Sequence, residues 1–479
     1  MRAVLQGSFA MFTVYNAAAQ SIDAFNPLPN GPPTTLAVQA DDKLILAGNF
    51  LDIGTTARER IARFDADGSL DATFQDPGID GEIKTIAVQA DGKILLGGNF
   101  DAASTTPRHY LARLNADGSL DATFADPGLN DTVWAIAIQP ADGKILVTGD
   151  FTLATTTVSR RGMARFNVNG TLDAGFADPQ FDPTLGFSPV RSIALQADGH
   201  VLVGGYFTHV GSASHFYFAR FSSSGGFDST FPVSNEPQVA AIVVAPDGSI
   251  FVDDPGLGQI LKYSATGVAD TTYTSAVTDG VANSMVLQPN GKIVIGGTFQ
   301  LVGADPHHAL ARLNANGSLD TTFAELHFSF DAGNPQGYIY GVAAQSDGKL
   351  AVIGNFTLAN GQARQYAARV VSGDAAVSTF TGQASGSSTI VTWTRSGDGP
   401  ELALPPTLLH SSDGMVFTTI GTMTRIATGW QQTVPFSFNG TPFYLQAIAA
   451  TSGGAGNGSP GDVDSPVYSN DRIFANGFE

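Results

Sequence analysis

Seven near-copies of one sequence unit follow one another in this chain, and its two ends carry complementary parts of one copy. In a complete copy, a basic residue is followed eight positions later by an aspartate. The six complete pairs are Arg63 and Asp71, Arg113 and Asp121, Arg165 and Asp173, Arg220 and Asp228, Lys262 and Asp270, and Arg312 and Asp320. In the seventh copy Arg369 has Val377 at the aspartate position, whereas Asp23 has no basic residue before it. The first segment can therefore supply what the last unit lacks, and this predicts a ring.

Each unit contains two stretches that are typical of β-strands joined by tight turns. Residues 86–100 alternate apolar side chains on both sides of Asp91-Gly92, which is a strong hairpin signal because these residues tolerate positive φ. Residues 110–124 supply a third strand, a second tight turn and a short fourth strand. The first turn recurs every 43 to 57 residues, at Asp42, Gly92, Gly143, Gly199, Gly248, Gly291 and Gly348. This period is typical of a propeller blade.

Four antiparallel strands in each of seven units predict an all-β fold, a seven-bladed β-propeller over residues 20–380. Residues 20–26 are expected to close it as the outer strand of the last blade, beside residues 366–371, which removes an exposed sheet edge. An open superhelical array of the same units is the alternative. An aromatic residue ends each unit and is interpreted as packing between blades: Phe74, Phe124, Phe176, Phe231, Tyr273, Phe323 and Phe380.

The remaining segments differ from the repeat. Residues 1–19 have the layout of a secretory signal peptide, with a first strand of the fold as the alternative. Residues 381–469 carry short strand-like runs with Trp393 and Trp430, which indicate a small β-sandwich resembling fibronectin-type modules. Residues 470–479 form a C-terminal tail.

Charge and composition exclude several classes of protein. The net charge is -19 and cysteine is absent, so a nucleic-acid partner, disulfides and thiolate chemistry are not expected. No run is long enough to predict a membrane-spanning helix. We expect a secreted or cell-surface monomer.

The combination of LDATF, QADGKILLGGNF and LARLNADGSLDATF resembles the delta-60 repeat family. This resemblance covers residues 20–380 and implies a secreted bacterial β-propeller of unknown activity. The fifth unit departs most from it, since Asp253-Asp254 replaces the Gly-Gly pair and Lys262-Tyr263 replaces the Arg-Phe pair.

No catalytic motif is present: the sequence has no phosphate-binding loop, zinc-protease helix or nucleophile elbow. No cofactor or metal site is predicted. Calcium is the alternative considered, because Asp65, Asp67 and Asp71 resemble part of an oxygen-ligand loop, but Arg63 stands where such a loop begins. The Arg and Asp pairs, including Arg369 with Asp23, are interpreted as structural.

The connections between the second and third strands are long and variable, and binding sites often lie in such loops. One position there is basic or titratable in six units: Arg58, Arg108, Arg160, His215, His307 and Arg364. The next position contributes His109, Arg161 and His308. These nine residues are the candidate binding site, with pairing to nearby acids as the alternative. The sequence therefore favours a noncatalytic scaffold for an unknown protein or glycan ligand over an extracellular polysaccharide hydrolase or lyase, or a purely structural surface protein.

Overall fold

A computed structural model of the protein describes most of the chain. The described residues are 20–154, 159–181, 190–232, 239–330, 336–372, 377–385, 387–402, 404–412, 417–426, 429–435, 444–450, 453–455, 462–464 and 468–469. They contain β-strands and no α-helix, so the all-β prediction is confirmed for this part of the chain. Accordingly, none of these residues belongs to a helix capable of crossing a membrane. The predicted signal peptide and C-terminal tail lie outside the described residues.

Each of the seven units folds into an antiparallel sheet of three strands in sequence order. The strands of units one to seven are β2 (Pro33–Val38), β3 (Leu44–Gly48) and β6 (Ile61–Phe64); β7 (Glu82–Val88), β8 (Ile94–Asn99) and β11 (Leu111–Leu114); β12 (Val133–Ile138), β13 (Ile145–Ala154) and β14 (Ser159–Phe166); β15 (Val190–Leu195), β16 (Val201–Gly205) and β19 (Phe218–Phe221); β20 (Ile242–Val244), β21 (Ile250–Asp254) and β22 (Gln259–Tyr263); β23 (Ala282–Leu287), β24 (Ile293–Gly297) and β27 (Leu310–Leu313); β29 (Tyr338–Ala344), β30 (Leu350–Asn355) and β33 (Ala367–Val371). The predicted fourth strand is a single bridge in units one to six, as between Phe64 and Leu70.

The tight turns between the first two strands have the predicted backbone conformation. All seven turn positions have positive φ, from 61° at Asp42 to 88° at Gly199. An aspartate accepts a backbone hydrogen bond two residues on, as where Asp91 accepts from the Lys93 amide at 3.1 Å. This geometry is an Asx-type turn and explains the conserved position of Asp-Gly within the repeat.

At the opposite end of the units, five of the long second-to-third connections fold into small hairpins. These are β4 (Asp52–Ile53) with β5 (Thr56–Ala57), β9 (Ala102–Ala103) with β10 (Thr106–Pro107), β17 (His209–Val210) with β18 (Ala213–Ser214), β25 (Leu301–Val302) with β26 (Asp305–Pro306), and β31 (Leu358–Ala359) with β32 (Gln362–Ala363). Each also pairs with the segment that precedes its unit, through single bridges or, in unit seven, through β28 (Phe328–Ser329). We call this end the long-loop face.

The hydrophobic core consists of layers between consecutive units. Between units two and three, Leu95 and Phe124 pack with Ile136 and Val147. Corresponding clusters join every other consecutive pair, and Ile353 of unit seven packs with Leu46 of unit one. The first and last units are thus in direct apolar contact.

The chain ends of the repeat region meet in one sheet. β1 (Ser21–Ile22) pairs antiparallel with β33, and Ile22 lies opposite Val370. The Arg369 guanidinium lies over the Phe25 ring, 5.4 Å from the ring centroid. Phe25 therefore takes the place of the closing aromatic residue in unit seven. The prediction that Phe380 has this role was wrong: Phe380 lies in the next domain, because unit seven takes its last strand from the N-terminal segment.

The C-terminal region forms two sheets over one apolar cluster. Its strands are β34 (Val377–Ser385), β35 (Ser388–Ser396), β36 (Thr407–Ser411), β37 (Thr418–Thr422), β38 (Thr424–Ile426), β39 (Gly429–Val434), β40 (Tyr444–Ala450), β41 (Gly453–Ala455), β42 (Asp462–Asp464) and β43 (Tyr468–Ser469). One sheet has the order β34-β35-β39-β38, and the other joins β37, β36, β40, β42 and β43. Trp393 and Trp430 of the first sheet pack with Leu408 and Leu445 of the second. β34 begins four residues before the predicted boundary at 381.

Asp398 of the C-terminal region is fully buried against unit six. In most units the Arg of the repeat donates to a carbonyl in the turn of the following unit, as where Arg63 Nη1 meets Ala116 O at 2.6 Å. Arg312 donates instead to Asp398 Oδ1 at 2.7 Å, and Gln288 donates to Asp398 O at 2.9 Å. Asp398 thus replaces the turn that unit seven lacks.

β41 pairs with the first strand of unit six. Gly454 lies opposite Met285, and β41 also lies beside β2, β20 and β29, the first strands of units one, five and seven. A segment of the C-terminal region therefore lies among the first strands of four units.

Candidate functional site

The repeated Arg and Asp residues form structural ion pairs. In unit one, Asp71 Oδ2 lies 2.9 Å from both Arg63 Nε and Lys43 Nζ, and the guanidinium lies 4.6 Å from the Phe74 ring centroid. Burial alone would raise the pKa of Asp71, but hydrogen bonds from Thr73, Lys43 and Arg63 outweigh it and hold this pKa well below its usual value. These charges are engaged within the fold.

The same lysine occupies the region considered for calcium. Lys43 Nζ lies 2.9 Å from Asp65 Oδ1 as well as from Asp71. Asp67 accepts hydrogen bonds from the amide and hydroxyl of Ser69. The carboxylates therefore have protein partners, and a cation would have to displace an ammonium group to use them.

The predicted binding residues at the first of the two loop positions lie on the long-loop face and are mostly buried. Arg108, Arg160, His215 and His307 are each less than a tenth exposed, whereas Arg58 and Arg364 are half-buried. The arginines donate to loop carbonyls, as where Arg364 Nη2 meets Asp23 O at 2.6 Å. The guanidinium groups of Arg160 and Arg364 thus join neighbouring segments, whereas those of Arg58 and Arg108 donate to the carbonyl of the preceding residue.

The residues at the next position, His109, Arg161 and His308, are more accessible, and the two histidines pair with carboxylates seventeen residues later. His109 Nδ1 lies 2.5 Å from Asp126 Oδ2, and His308 Nδ1 contacts Glu325 Oε1. Arg161 is half-buried. The structure therefore brings His109 and His308 each to an acid.

A different set of side chains converges near the first strands at the long-loop face. The residue at a β-bulge in the first strand is Lys84 in unit two, Trp134 in unit three and Arg191 in unit four. Arg191 lies 4.2 Å and Lys84 Nζ 5.1 Å from the Trp134 ring centroid. Arg191 also lies 5.2 Å from Tyr206. We call Lys84, Trp134, Asp150, Arg191 and Tyr206 the bulge cluster.

Two polar atoms of the bulge cluster are buried and have no hydrogen-bond partner among the described residues: Arg191 Nε and Asp150 Oδ1. Asp150 accepts a hydrogen bond from Trp134 Nε1 at 2.8 Å through its other oxygen. Burial raises the pKa of Asp150, although this hydrogen bond and Arg191 oppose the change. The cluster thus offers the Arg191 guanidinium, aromatic rings and unsatisfied polar atoms, which are features of a ligand site, whereas Lys84 is paired with Glu82 at 2.7 Å.

The residues of the bulge cluster are not among those predicted from the sequence, although the repeat carries a signal for them. A bulge re-aims the side chain of the extra residue, and each bulge here lies opposite a pair whose second residue is glycine: Gly97-Gly98, Thr148-Gly149 and Gly204-Gly205. At Gly98 a Cβ atom would lie 2.2 Å from Glu82 O, so the second glycine permits the close approach of the strands. The bulge position can therefore be read from this glycine.

Comparisons with known proteins agree with a propeller-type repeat. Six stretches match the family described as "Domain of unknown function (DUF5122) beta-propeller": residues 39–74, 89–124, 141–176, 196–231, 288–323 and 345–370. A search of curated protein sequences finds no match.

Solved structures with a similar backbone include a streptogramin B lyase, at 14% identity over 75% of this chain and 100% of that one, with a TM-score of 0.42. A luciferin-regenerating enzyme aligns at 8% identity over 74% of this chain and 95% of its own, with a TM-score of 0.37. Regucalcin from Agrobacterium tumefaciens aligns at 13% identity over 60% of this chain and 89% of its own, with a TM-score of 0.34.

Proposed function

We propose that this protein is a secreted, noncatalytic binding scaffold that holds an acidic glycan at the bulge cluster. The seven units would form a seven-bladed ring closed by the N-terminal strand, and the two C-terminal sheets would form a β-sandwich that serves as a spacer or second module. The pairing of β1 with β33 and the apolar contact between units one and seven support the ring.

The observation that carries the binding role is the arrangement of Arg191 and Lys84 around Trp134. Three consecutive bulges bring two cations and an aromatic ring together, and Arg191 Nε has no partner among the described residues. A carboxylate or sulfate of a saccharide would satisfy the guanidinium, while the apolar face of a sugar packs on aromatic rings.

The position of β41 favours binding over catalysis in a channel. In a closed ring the first strands surround the axis, so a segment that pairs with β23 and lies beside β2, β20 and β29 would occupy the channel beneath the bulge cluster. A ligand would then be held at the surface of the long-loop face.

The test is a glycan array with acidic and neutral polysaccharides, probed with the full chain and with Trp134→Ala and Arg191→Ala variants. We expect acidic glycans to bind and each variant to weaken binding at least tenfold, because each loses a stacking or charge-assisted contact. Lys349→Ala is the matched control, since it removes a cation from the opposite face, where Lys349 contacts Asp347. Equal binding by wild type and both cluster variants would disprove the site.

A polysaccharide hydrolase or lyase is the second candidate function. The environment of Asp150 favours it. A half-buried carboxyl with a raised pKa beside an arginine is suited to general acid catalysis. Reducing-end and ultraviolet assays on the glycans that bind would detect hydrolysis or an unsaturated lyase product. Activity that Asp150→Asn abolishes while binding persists would replace the scaffold proposal.

Secretion is tested separately by N-terminal sequencing of the exported protein. Cleavage after Ala19 predicts Gln20 as the first residue, next to the strand that pairs with unit seven.

A further inference from the structure

We propose that His308, Glu325 and His327 form a binding site for a divalent transition metal, with Zn²⁺ as the preferred ion. These residues lie on the long-loop face where unit six continues into unit seven. One ligand atom from each residue lies within 4.8 Å of the others. The site is separate from the bulge cluster and does not depend on the proposed glycan.

The local fold explains how the three side chains meet. His308 follows the hairpin β25–β26, whereas Glu325 and His327 lie in the connection before β28. A backbone hydrogen bond from Asn360 N to His327 O, 2.7 Å long, ties this connection to the hairpin of unit seven. The imidazole rings of His308 and His327 lie 4.0 Å apart between centroids with an interplanar angle of 24°.

The donor set has the chemistry that Zn²⁺ requires. Zn²⁺ binds imidazole nitrogen and carboxylate oxygen at about 2.0–2.2 Å, and sites with two histidines and one glutamate leave a position for water or another ligand. Hard ions such as Ca²⁺ prefer six or more oxygens, which this set lacks. The His308 and Glu325 side chains are 21% and 37% exposed, so they can adjust to a tetrahedral geometry and an ion can reach them.

Adjacent His307 does not join the site. It is buried, and successive side chains of an extended segment diverge, so only His308 faces the two later residues. His308 was predicted only as a binding residue, and no metal site was predicted from the sequence. His327 lies nineteen residues after His308, and neither the spacing of the histidines nor a metal-binding motif indicates that it is a ligand.

Unit two supplies a matched control within the same chain. His109 and Asp126 correspond to His308 and Glu325, and their side chains also contact each other, at 2.5 Å. The residue that corresponds to His327 is Gly128. Unit two therefore has the histidine and carboxylate pair without the second imidazole.

The experiment is a titration of the chelator-treated full chain, prepared without a histidine tag, with Zn²⁺ by calorimetry and with Co²⁺ by visible absorption. We expect one strong site per chain, a Co²⁺ spectrum typical of tetrahedral or five-coordinate nitrogen and oxygen ligation, and at least tenfold weaker binding in both His308→Ala and His327→Gly. Glu325→Gln should also weaken binding, whereas His109→Ala should leave it unchanged.

The proposal is overturned if the wild type binds no Zn²⁺ above the level of a His308→Ala/His327→Gly double variant. It is also overturned if His109→Ala weakens binding as much as His308→Ala, because binding would then come from surface histidines in general. Circular dichroism of each variant ensures that a loss of binding is compared between folded proteins. Loss of glycan binding with Zn²⁺ binding intact would affect only the function proposed above.

Discussion

Asp23 Oδ2 lies 2.6 Å from Arg369 Nε, so an ion pair joins residues that are 346 positions apart in the sequence. In the other units this pair spans eight residues. The Asp23 amide also donates to Arg369 O at 3.0 Å. The contact between the two ends of the repeat region therefore has the same side-chain and backbone hydrogen bonds as the interior of a unit.

Asp23→Ala should destabilise the protein by about 2–4 kcal/mol, because Arg369 is 5% exposed and would lose its charged partner. It should also accelerate hydrogen exchange at the Asp23 amide, which donates to Arg369 O, since β1 would detach from β33. Asp228→Ala is the matched control: it removes the same pair in unit four and should leave exchange in β1 unchanged. Slow exchange in β1 of Asp23→Ala would contradict the role of this pair in holding the ends together.

Between about pH 4 and pH 8, the dependence of stability on pH should be set by Asp253. This carboxyl is 1% exposed, and burial raises its pKa to about 8, with a further contribution from the charge of Asp254 and opposition from the Ala282 amide. In the unfolded chain its pKa is about 3.8. The folded state therefore holds the proton more tightly, so its stability is highest below about pH 4 for this group and falls as the pH rises towards 8.

Asp253→Asn should remove this decline, and urea unfolding at pH 5, 6.5 and 8 measures it. The variant should gain stability relative to the wild type as pH rises, on the order of a few kcal/mol by pH 8. Identical pH slopes for wild type and variant would show that Asp253 does not bind the extra proton.

The acid side should depend on the repeat aspartates. Burial alone would raise the pKa of Asp228, but hydrogen bonds from Thr230 and Arg220 outweigh it and lower this pKa to about 2. Its stabilisation is present above about pH 4 and is lost as the pH falls through about 2. Asp228→Asn should therefore flatten the acid limb of urea unfolding curves between pH 2 and 4, and leave the decline above pH 5 intact. A variant with an unchanged acid limb would contradict this assignment.

Sequence patterns predicted the strands, the turns and the meeting of the ends because all three follow from local periodicity repeated seven times. Asp42 is an example: its position in the repeat predicts the positive φ of 61° that this residue adopts. The roles of Phe25 and Phe380 were not predicted, since the N-terminal segment has one residue fewer between aspartate and aromatic than the other units. Asp398 and the His308, Glu325 and His327 group depend on contacts between segments without a shared period, and no repeat pattern encodes those contacts.

Lys262→Arg should stabilise unit five. A cleft of about 260 Å³ is lined by Lys262, Asp270 and Tyr273, among others. Lys262 Nζ lies 3.2 Å from Asp270 Oδ2. The aromatic ring beside this ammonium group is that of Phe251, whose centroid is 5.8 Å away. In unit four the Arg220 guanidinium lies over Phe231 and donates to Ala265 O of the next unit at 2.6 Å.

An arginine at 262 would restore both contacts, and we expect a gain of about 0.5–1.5 kcal/mol in the free energy of unfolding. Lys262→Met is the control, since it keeps the apolar stem and removes the charge; it should be less stable than the wild type. Chemical denaturation compares the three proteins. If arginine and methionine behave alike, the cleft does not arise from the missing guanidinium.

Asp398→Ala should separate the C-terminal region from unit six. Arg312 and Asp398 are 1% and 0% exposed at their side chains, so removal of the carboxylate leaves a buried guanidinium with Asp320 as its remaining acid. We expect a loss of about 2–4 kcal/mol and faster proteolysis between units and C-terminal sheets. Asp398→Asn keeps an oxygen that can accept from Arg312 and should lose less. Both variants retain the hydrogen bond from Gln288, because it is accepted by the backbone carbonyl of residue 398. Equal stability of Asp398→Ala and wild type would therefore mean that backbone contacts alone hold the C-terminal region against unit six.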